Sequence, residues 1–220
     1  MRAKRARLEI SKDKGLRVVI PKGFRLTEVP RLIEAKSSWV LRKLAFIESE
    51  TELQTRQRAL KEGDLIPYWG GDLTLMTRVQ HGTEARVEQE GNVLRIVTSS
   101  AISTVLNGVL KKWYVCRAAE VIPQCVDIWA QKLGCSYNKV YIRDQKTRWG
   151  SCSSRKNLSL NWRLILMPPK IVDYIIVHEL THLEMPNHSR AFWKLMEERC
   201  PEYLEYRTWL RENGRHLLLW

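Results

Sequence analysis

The chain changes its hydrophobic rhythm several times, and each change marks an element. Over "ARLEISKDKGLRVVIP" apolar and polar residues alternate on both sides of "KDKG", the period-2 pattern of a β-hairpin closed by a polar turn. From Leu26 the period lengthens to that of a helix. Val29, Leu32, Ile33, Trp39, Val40, Leu44 and Ile47 recur on one face, with Pro30 in the first turn and Gly63 as the stop. Two further alternating stretches, "IPYWGGDLTLMTRV" and "EARVEQEGNVLRIVTS", carry Gly-Gly and Glu-Gly-Asn at their centres and predict two more hairpins.

At Ile102 the strand pattern gives way to a long helical one ending at Gly134, with Pro123 the expected kink. Three strands are predicted next, in "NKVYIRD", "TRWGSCSS" and "NLSLNWRLILM", the last two joined by a polar turn at Ser154 to Asn157. Pro168-Pro169 opens a helix through "KIVDYIIVHELTHLEM". Pro186 closes it, because the residue before a proline is pushed out of the helical region. Helices over Ser189–Arg199 and from Pro201 to Gly214 complete the chain. This order predicts an α+β protein: residues 1–101 as an N-terminal domain of hairpins plus one helix, and 102–220 as a C-terminal domain with a small sheet among helices.

Composition narrows the setting. With 44% hydrophobic and 28% charged residues, 220 residues are ample for a globular core. Five cysteines form no CxxC and leave one unpaired under any pairing, which suits a reducing compartment. The basic N-terminus is followed by no apolar run of the kind a signal peptide needs. No stretch approaches the ~18 apolar residues of a membrane span. The expectation is a cytoplasmic protein without a membrane partner.

The net charge of +13 is unevenly spread. Residues 1–61 hold 16 Lys+Arg against 7 Asp+Glu, and residues 168–220 hold 7 against 8. A basic front half fits an anionic partner such as nucleic acid, a nucleotide or an acidic protein, and equally a solvated surface that aids solubility. The oligomeric state is not legible.

The chemistry sits where the charge does not. "IIVHELTHLEMPNHSRAFW" holds three of the five histidines. Residues four apart on a helix share a face, about 6 Å apart along the axis, so His178 and His182 can meet one ion. Glu179 points to the adjacent face and can act as general base on water at the metal without ligating it. The plain alternative is a helix with two satisfied histidines. A third ligand must come from elsewhere. His188, beyond the Pro186 break, is favoured by analogy with other HExxH spacings, with Glu184, Glu197, Glu198 and Glu202 competing. Zn²⁺ with three protein ligands keeps an open position for water, and imidazole ligands also accept Ni²⁺ or Mn²⁺. Asp173, Thr181 and Asn187 are candidates to orient the rings. Phe192 and Trp193 have the helical spacing of core residues, and Trp149 and Trp162 read as packing. Arg148 and Asn161 are candidate substrate-binding residues, a cation and an amide donor for a substrate oxygen. Each has a structural alternative, an ion pair with Asp144 or Asp173 for Arg148 and backbone bonds in the sheet for Asn161.

"TRWGSCSS", "LSLNWRLILMP", "DYIIVHELTHL" and "NHSRAFW", in that order, resemble the YgjP-like family of metal-dependent hydrolases. So do "RLEISKDKGLRVVIPKG", "WVLRKL" and "IPYWGGDLTL" at the front, and the resemblance covers nearly the whole chain. More distantly the C-terminal half is similar to SprT-like and minigluzincin zinc peptidases. The resemblance implies a zincin-like core around the HExxH helix, metal on His178, His182 and His188, and Glu179 as base. It also implies that the "RWGSC" and "LSLNW" strands lie beside the metal, where an extended peptide pairs with the sheet edge.

Three functions follow as expectations. The first is a zinc metallopeptidase. The second is a metal-dependent hydrolase of phosphoanhydride bonds, such as a nucleoside triphosphate pyrophosphatase, for which Arg148 and the basic front half suit an anionic substrate. The third is a basic nucleic-acid-associated protein with a structural metal.

Overall fold

The alternation at the front of the chain becomes β1 (Arg7–Ser11) paired antiparallel with β2 (Gly15–Val19), in the register Ser11 to Gly15. The structure, a computed structural model, describes residues 6–11, 15–42, 44 and 60–218. The turn residues Lys12–Lys14 lie outside them. The helix expected from Leu26 is divided. A 3-10 turn (Leu26–Glu28) leads into α1 (Val29–Glu34), and a turn separates this from α2 (37–42). Lys36 N–H bonds back three residues to Ile33, which tightens and ends α1, and Val40 N–H then starts again on Lys36. Neither Ala35 nor Lys36 breaks helices, so the pattern carries no sign of the division. The rest of that helix, beyond Leu44, lies outside the described residues. These elements belong to one compact unit, Met1–Arg58.

The second unit, Ala59–Trp220, contains both remaining hairpins. Strands β3 (Leu65–Tyr68) and β4 (Gly71–Val79) form the first, and β5 (Arg86–Glu90) and β6 (Val93–Thr98) the second. They join through a parallel pairing of β4 with β6, giving the order β3-β4-β6-β5. The first turn is Trp69-Gly70 rather than Gly-Gly. Both residues have positive φ, the two-residue turn whose twist matches a hairpin, while Gly71 already pairs with Tyr68. Gly70 is required twice over: its φ is +83°, and an added Cβ would sit 2.9 Å from the Pro168 backbone.

Helix α3 (Ser103–Leu133) runs through Pro123 and ends on Gly134 in the left-handed region. Its buried residues Leu106, Leu110, Tyr114, Ala118, Ile122, Val126 and Ala130 recur every four positions. Such a stripe drifts about 40° per step around a 3.6-residue helix, so one helix serves neighbours on several sides in turn. It packs on β5, β6, β7 (Lys139–Arg143) and the helical segments that follow. The change of pattern at 101–102 therefore falls inside this unit. Leu94 and Ile96 of the first sheet share one hydrophobic core with Leu106 and Leu110 of α3, and the two compact units divide instead between Arg58 and Ala59.

The second sheet has the order β7-β9-β8. Here β8 (Gly150–Cys152) is antiparallel and β7 parallel to β9 (Asn157–Asn161). The strand expected to continue to Met167 stops at Asn161, whose side chain accepts from Arg163 N–H and caps a 3-10 segment, Trp162–Leu166. Helices α4 (Pro169–Thr181), α5 (Arg190–Arg199) and α6 (Tyr203–Leu217) complete the unit. Helix α4 ends four residues short of the expected Met185, and α6 runs past Gly214. Among the described residues no helix is long and apolar enough to cross a membrane.

Candidate metal centre

Helix α4 is buried along Ile171, Val172, Ile175, Ile176 and Leu180, which fixes its rotation and presents His178 and His182 together. His182 is the C-cap of α4 and still helical, so the four-residue spacing survives the early end of the helix. After it the backbone tightens: Leu183 and Glu184 N–H bond back three residues, to Leu180 and Thr181. The chain then reverses past Pro186, and Ser189 caps α5 by accepting from Phe192 N–H. His188 immediately precedes that cap.

The reversal brings the third ring back. One nitrogen from each of His178, His182 and His188 lies within 4.8 Å of the others, and ring centroids are 4.7–5.0 Å apart. His178 Nε2 and His188 Nε2 approach to 3.0 Å. His182 Nδ1 lies 2.9 Å from the Met185 carbonyl, which only accepts, so Nδ1 carries the proton and Nε2 keeps its lone pair for the cluster. Burial, then the charges of His182, His188 and Arg207, pushes His178 down to about 3. His188 is lowered by the same kinds of cause, burial first. Three imidazoles converging on one point are the donor set a divalent metal requires, and the residues present fit such an ion.

Phe192 is fully buried, with its ring 4.6–5.0 Å from all three imidazoles and stacked on that of His182. Trp193 stacks on His188, and the Arg207 guanidinium lies over Trp193. Phe192 belongs to the core, as its spacing predicts, while Trp193 is half-buried against it, and the two form the apolar seat of the histidines.

Glu179 lies on the adjacent face of the helix, lining the same cavity as His178, and is only 6% exposed. Its Oε2 is buried with no hydrogen-bond partner among the described residues. Burial pushes its carboxyl up to about 8, with the charge of Arg148 offsetting part of the rise. Strand β8 crosses directly over it: a Cβ on Gly150 would stand 2.5 Å from Glu179 Oε1 and 2.7 Å from its Cγ.

Arg148 is exposed at the entrance to β8 and forms no ion pair among the described residues. Asp144 is taken by Lys111 and Arg163, and Asp173 accepts from Trp129 Nε1. Asn161 is fully buried, and its amide is committed to the fold. Nδ2 donates to the carbonyls of Gln145 (2.7 Å) and Arg148 (3.0 Å), and Oδ1 accepts from Arg163 N–H. The substrate contact expected of it thus gives way to a positioning part, because no polar atom of its side chain is left to offer.

Of the residues expected to orient the rings, Asp173 is engaged by Trp129, and Thr181 bonds the Val177 carbonyl and Arg199. The Met185 carbonyl does that work for His182, and a backbone group gives no signal in the sequence. Glu184 pairs with Arg199, and among the described residues no carboxylate joins the cluster.

A family model described as YgjP-like, metallopeptidase domain, matches residues 4–213. Among solved structures, the metallopeptidase zymogen abylysin of Pyrococcus abyssi is similar over 43% of this chain and 97% of its own, at 24% identity and a TM-score of 0.39. No curated protein sequence matches.

Proposed function

The chain belongs to the YgjP-like family of metal-dependent hydrolases with a metallopeptidase domain. From that premise we propose that it is a zinc peptidase in which His178, His182 and His188 hold the metal and Glu179 takes the proton of the attacking water. The observation that carries the reading is the cluster of three imidazoles within 4.8 Å, with a buried carboxyl on the adjacent face of the same helix. When bound, the ion supplies Lewis acidity, polarising a substrate oxygen and acidifying water. Three imidazoles with an open position favour Zn²⁺, although such ligands also take Ni²⁺ or Mn²⁺.

The chain's own groups do the rest. Glu179, buried beside His178 in the same cavity, is placed to take a proton from water and return it to the leaving amine. Arg148 offers an uncommitted cation to a substrate oxygen on the Glu179 side. The outer edge of β8 has no strand partner among the described residues, and an extended peptide would pair with it. Five free thiols fit work in the cytoplasm.

Protein purified without added metal should carry about one divalent ion per chain, and His178→Ala should lose it. Glu179→Gln should keep the ion and lose peptide turnover by about 10²–10⁴-fold. Full turnover by that variant would refute the assignment of the base.

A second reading, hydrolysis of a nucleotide phosphoanhydride, is favoured by one observation. Arg148 and Arg207, both exposed and outside any ion pair among the described residues, bear on Glu179 and on the histidines respectively. Phosphate release from nucleoside triphosphates, screened beside peptide cleavage, separates the two.

A further inference from the structure

Beside the histidines, on the Glu179 side, lies a cavity of about 190 Å³. Its walls are Trp149, Tyr174, Ile175 and Leu210, and His178 and Glu179 line it as well. Drug-sized ligands occupy ~300–1,000 Å³, so this space is sized for a single side chain rather than a whole small molecule. Three elements build it: the entry to β8, the face of α4 one turn before His178, and α6. Helix α6 packs closely on its Trp149 wall, with Gly214 buried against the indole so that a Cβ there would lie 3.3 Å from the ring.

The lining is not uniformly apolar. Glu179 is more than nine-tenths buried, and its Oε2 has no hydrogen-bond partner among the described residues. A buried acceptor of that kind calls for a donor. The occupant that satisfies both features is apolar in its body and carries an N–H beside it. A peptide residue with a branched or aromatic side chain has both groups at that spacing, with its amide N–H toward Glu179. A simple hydrocarbon lacks the donor, and a phosphate would set negative charge against a carboxyl in an apolar wall.

We propose that this cavity is the specificity subsite of the enzyme. It takes one apolar side chain of a peptide, on the residue whose nitrogen adjoins the bond attacked, and Trp149 and Leu210 set its size. The proposal rests on the peptidase reading for its place in the reaction, but occupancy of the cavity can be tested without turnover.

Two arms on the full chain separate the two claims. In the first, N-acetyl-leucinamide, N-acetyl-phenylalaninamide and N-acetyl-glycinamide are titrated into wild-type protein, with the backbone amide resonance of Gly150 as readout. The apolar amides should shift it at concentrations where the glycine amide does not, and Leu210→Trp, which fills the cavity, should abolish the difference. In the second, a peptide mixture varied at one position is digested and the cut sites are sequenced. Wild type should cut beside leucine, isoleucine or phenylalanine, and Leu210→Trp should lower the ratio of those cuts to cuts beside glycine by about tenfold or more. Leu210→Ala, which enlarges the space, should move preference toward the larger side chains and covers the case in which tryptophan is not accommodated.

Selective binding with no peptide cut overturns the peptidase reading and keeps the cavity as a side-chain site. Cleavage without apolar preference, and without selective binding, overturns the subsite and leaves the peptidase standing. Failure of both arms overturns both.

Discussion

Glu179 and Gly150 show how closely the candidate site is built. A carboxyl on α4 is covered by a strand whose α-carbon leaves no space for a methyl group: Cβ at position 150 would lie within 2.8 Å of three Glu179 atoms. The backbone of Gly150 is not in the left-handed region, so Gly150→Ala strains no dihedral and acts by displacing the carboxylate. With misplacement by about 1 Å costing ~10²-fold in rate, that variant should lose about that much turnover while binding a full complement of metal. Unchanged turnover would show that the position of Glu179 is unimportant. Glu179 itself is legible from the His-Glu-x-x-His spacing. Gly150 is not, because its constraint comes from a residue remote in sequence.

At the scale of elements, the segment between β7 and β8 decides where the wall of the site stands. It is pinned at both ends. Asp144 accepts from Lys111 (2.8 Å), Arg163 (2.5 Å) and Trp162 Nε1 (3.2 Å), and the Asn161 amide holds the carbonyls of Gln145 and Arg148. Burial alone would raise the Asp144 carboxyl, but hydrogen bonds from Lys111 and Arg163, the Arg163 charge and Trp162 outweigh it and hold the group well below the usual carboxylate range. A carboxyl depressed in the folded state adds stability above its unfolded pKa, and that contribution fades as pH falls below about 4. Asp144→Asn should therefore lower Tm most near neutral pH, and the gap to wild type should narrow from pH 4 downward. A gap independent of pH would mean that shape, not charge, holds the segment. Because the side chain of Asp144 is 46% exposed, solvent screens the pair and the effect is modest.

Hydrophobic periodicity identified most elements of this region. It missed the end of the third strand at Asn161 and the early close of α4, since both are set by hydrogen bonds that periodicity does not encode: a side-chain cap in one case, i−3 bonds in the other. Helix α3 runs through Pro123, where the pattern predicts a kink, and ends at Gly134 as that pattern predicts, with tertiary burial on both sides of the proline outweighing its local cost.

For the whole molecule, metal binding and folding should be linked, because the three histidines converge only once α4 and α5 are packed. An ion that binds the native state alone stabilises by RT ln(1 + [L]/Kd), about 4 kcal/mol at a thousandfold excess over Kd. Chelation should lower the Tm of wild type and leave that of His178→Ala unchanged. Equal shifts in both would place the ion elsewhere.

The sequence by itself determined the α+β class, most hairpins and helices, and the pair of histidines with their glutamate, because periodicity and helical spacing are local properties of the chain. It also marked His188 as the favoured third ligand, from its place beyond a proline break. Tertiary structure alone decided the rest. It joined the two hairpins of the second unit through a parallel pairing, and it chose histidine over the nearby glutamates by reversing the chain at Pro186. It also turned Asn161 from a free amide into a brace and set Trp149, Tyr174 and Leu210 around one cavity. Except for the histidine already marked by the proline break, these are contacts fixed by the packing of a shared core rather than by a pattern read along the chain.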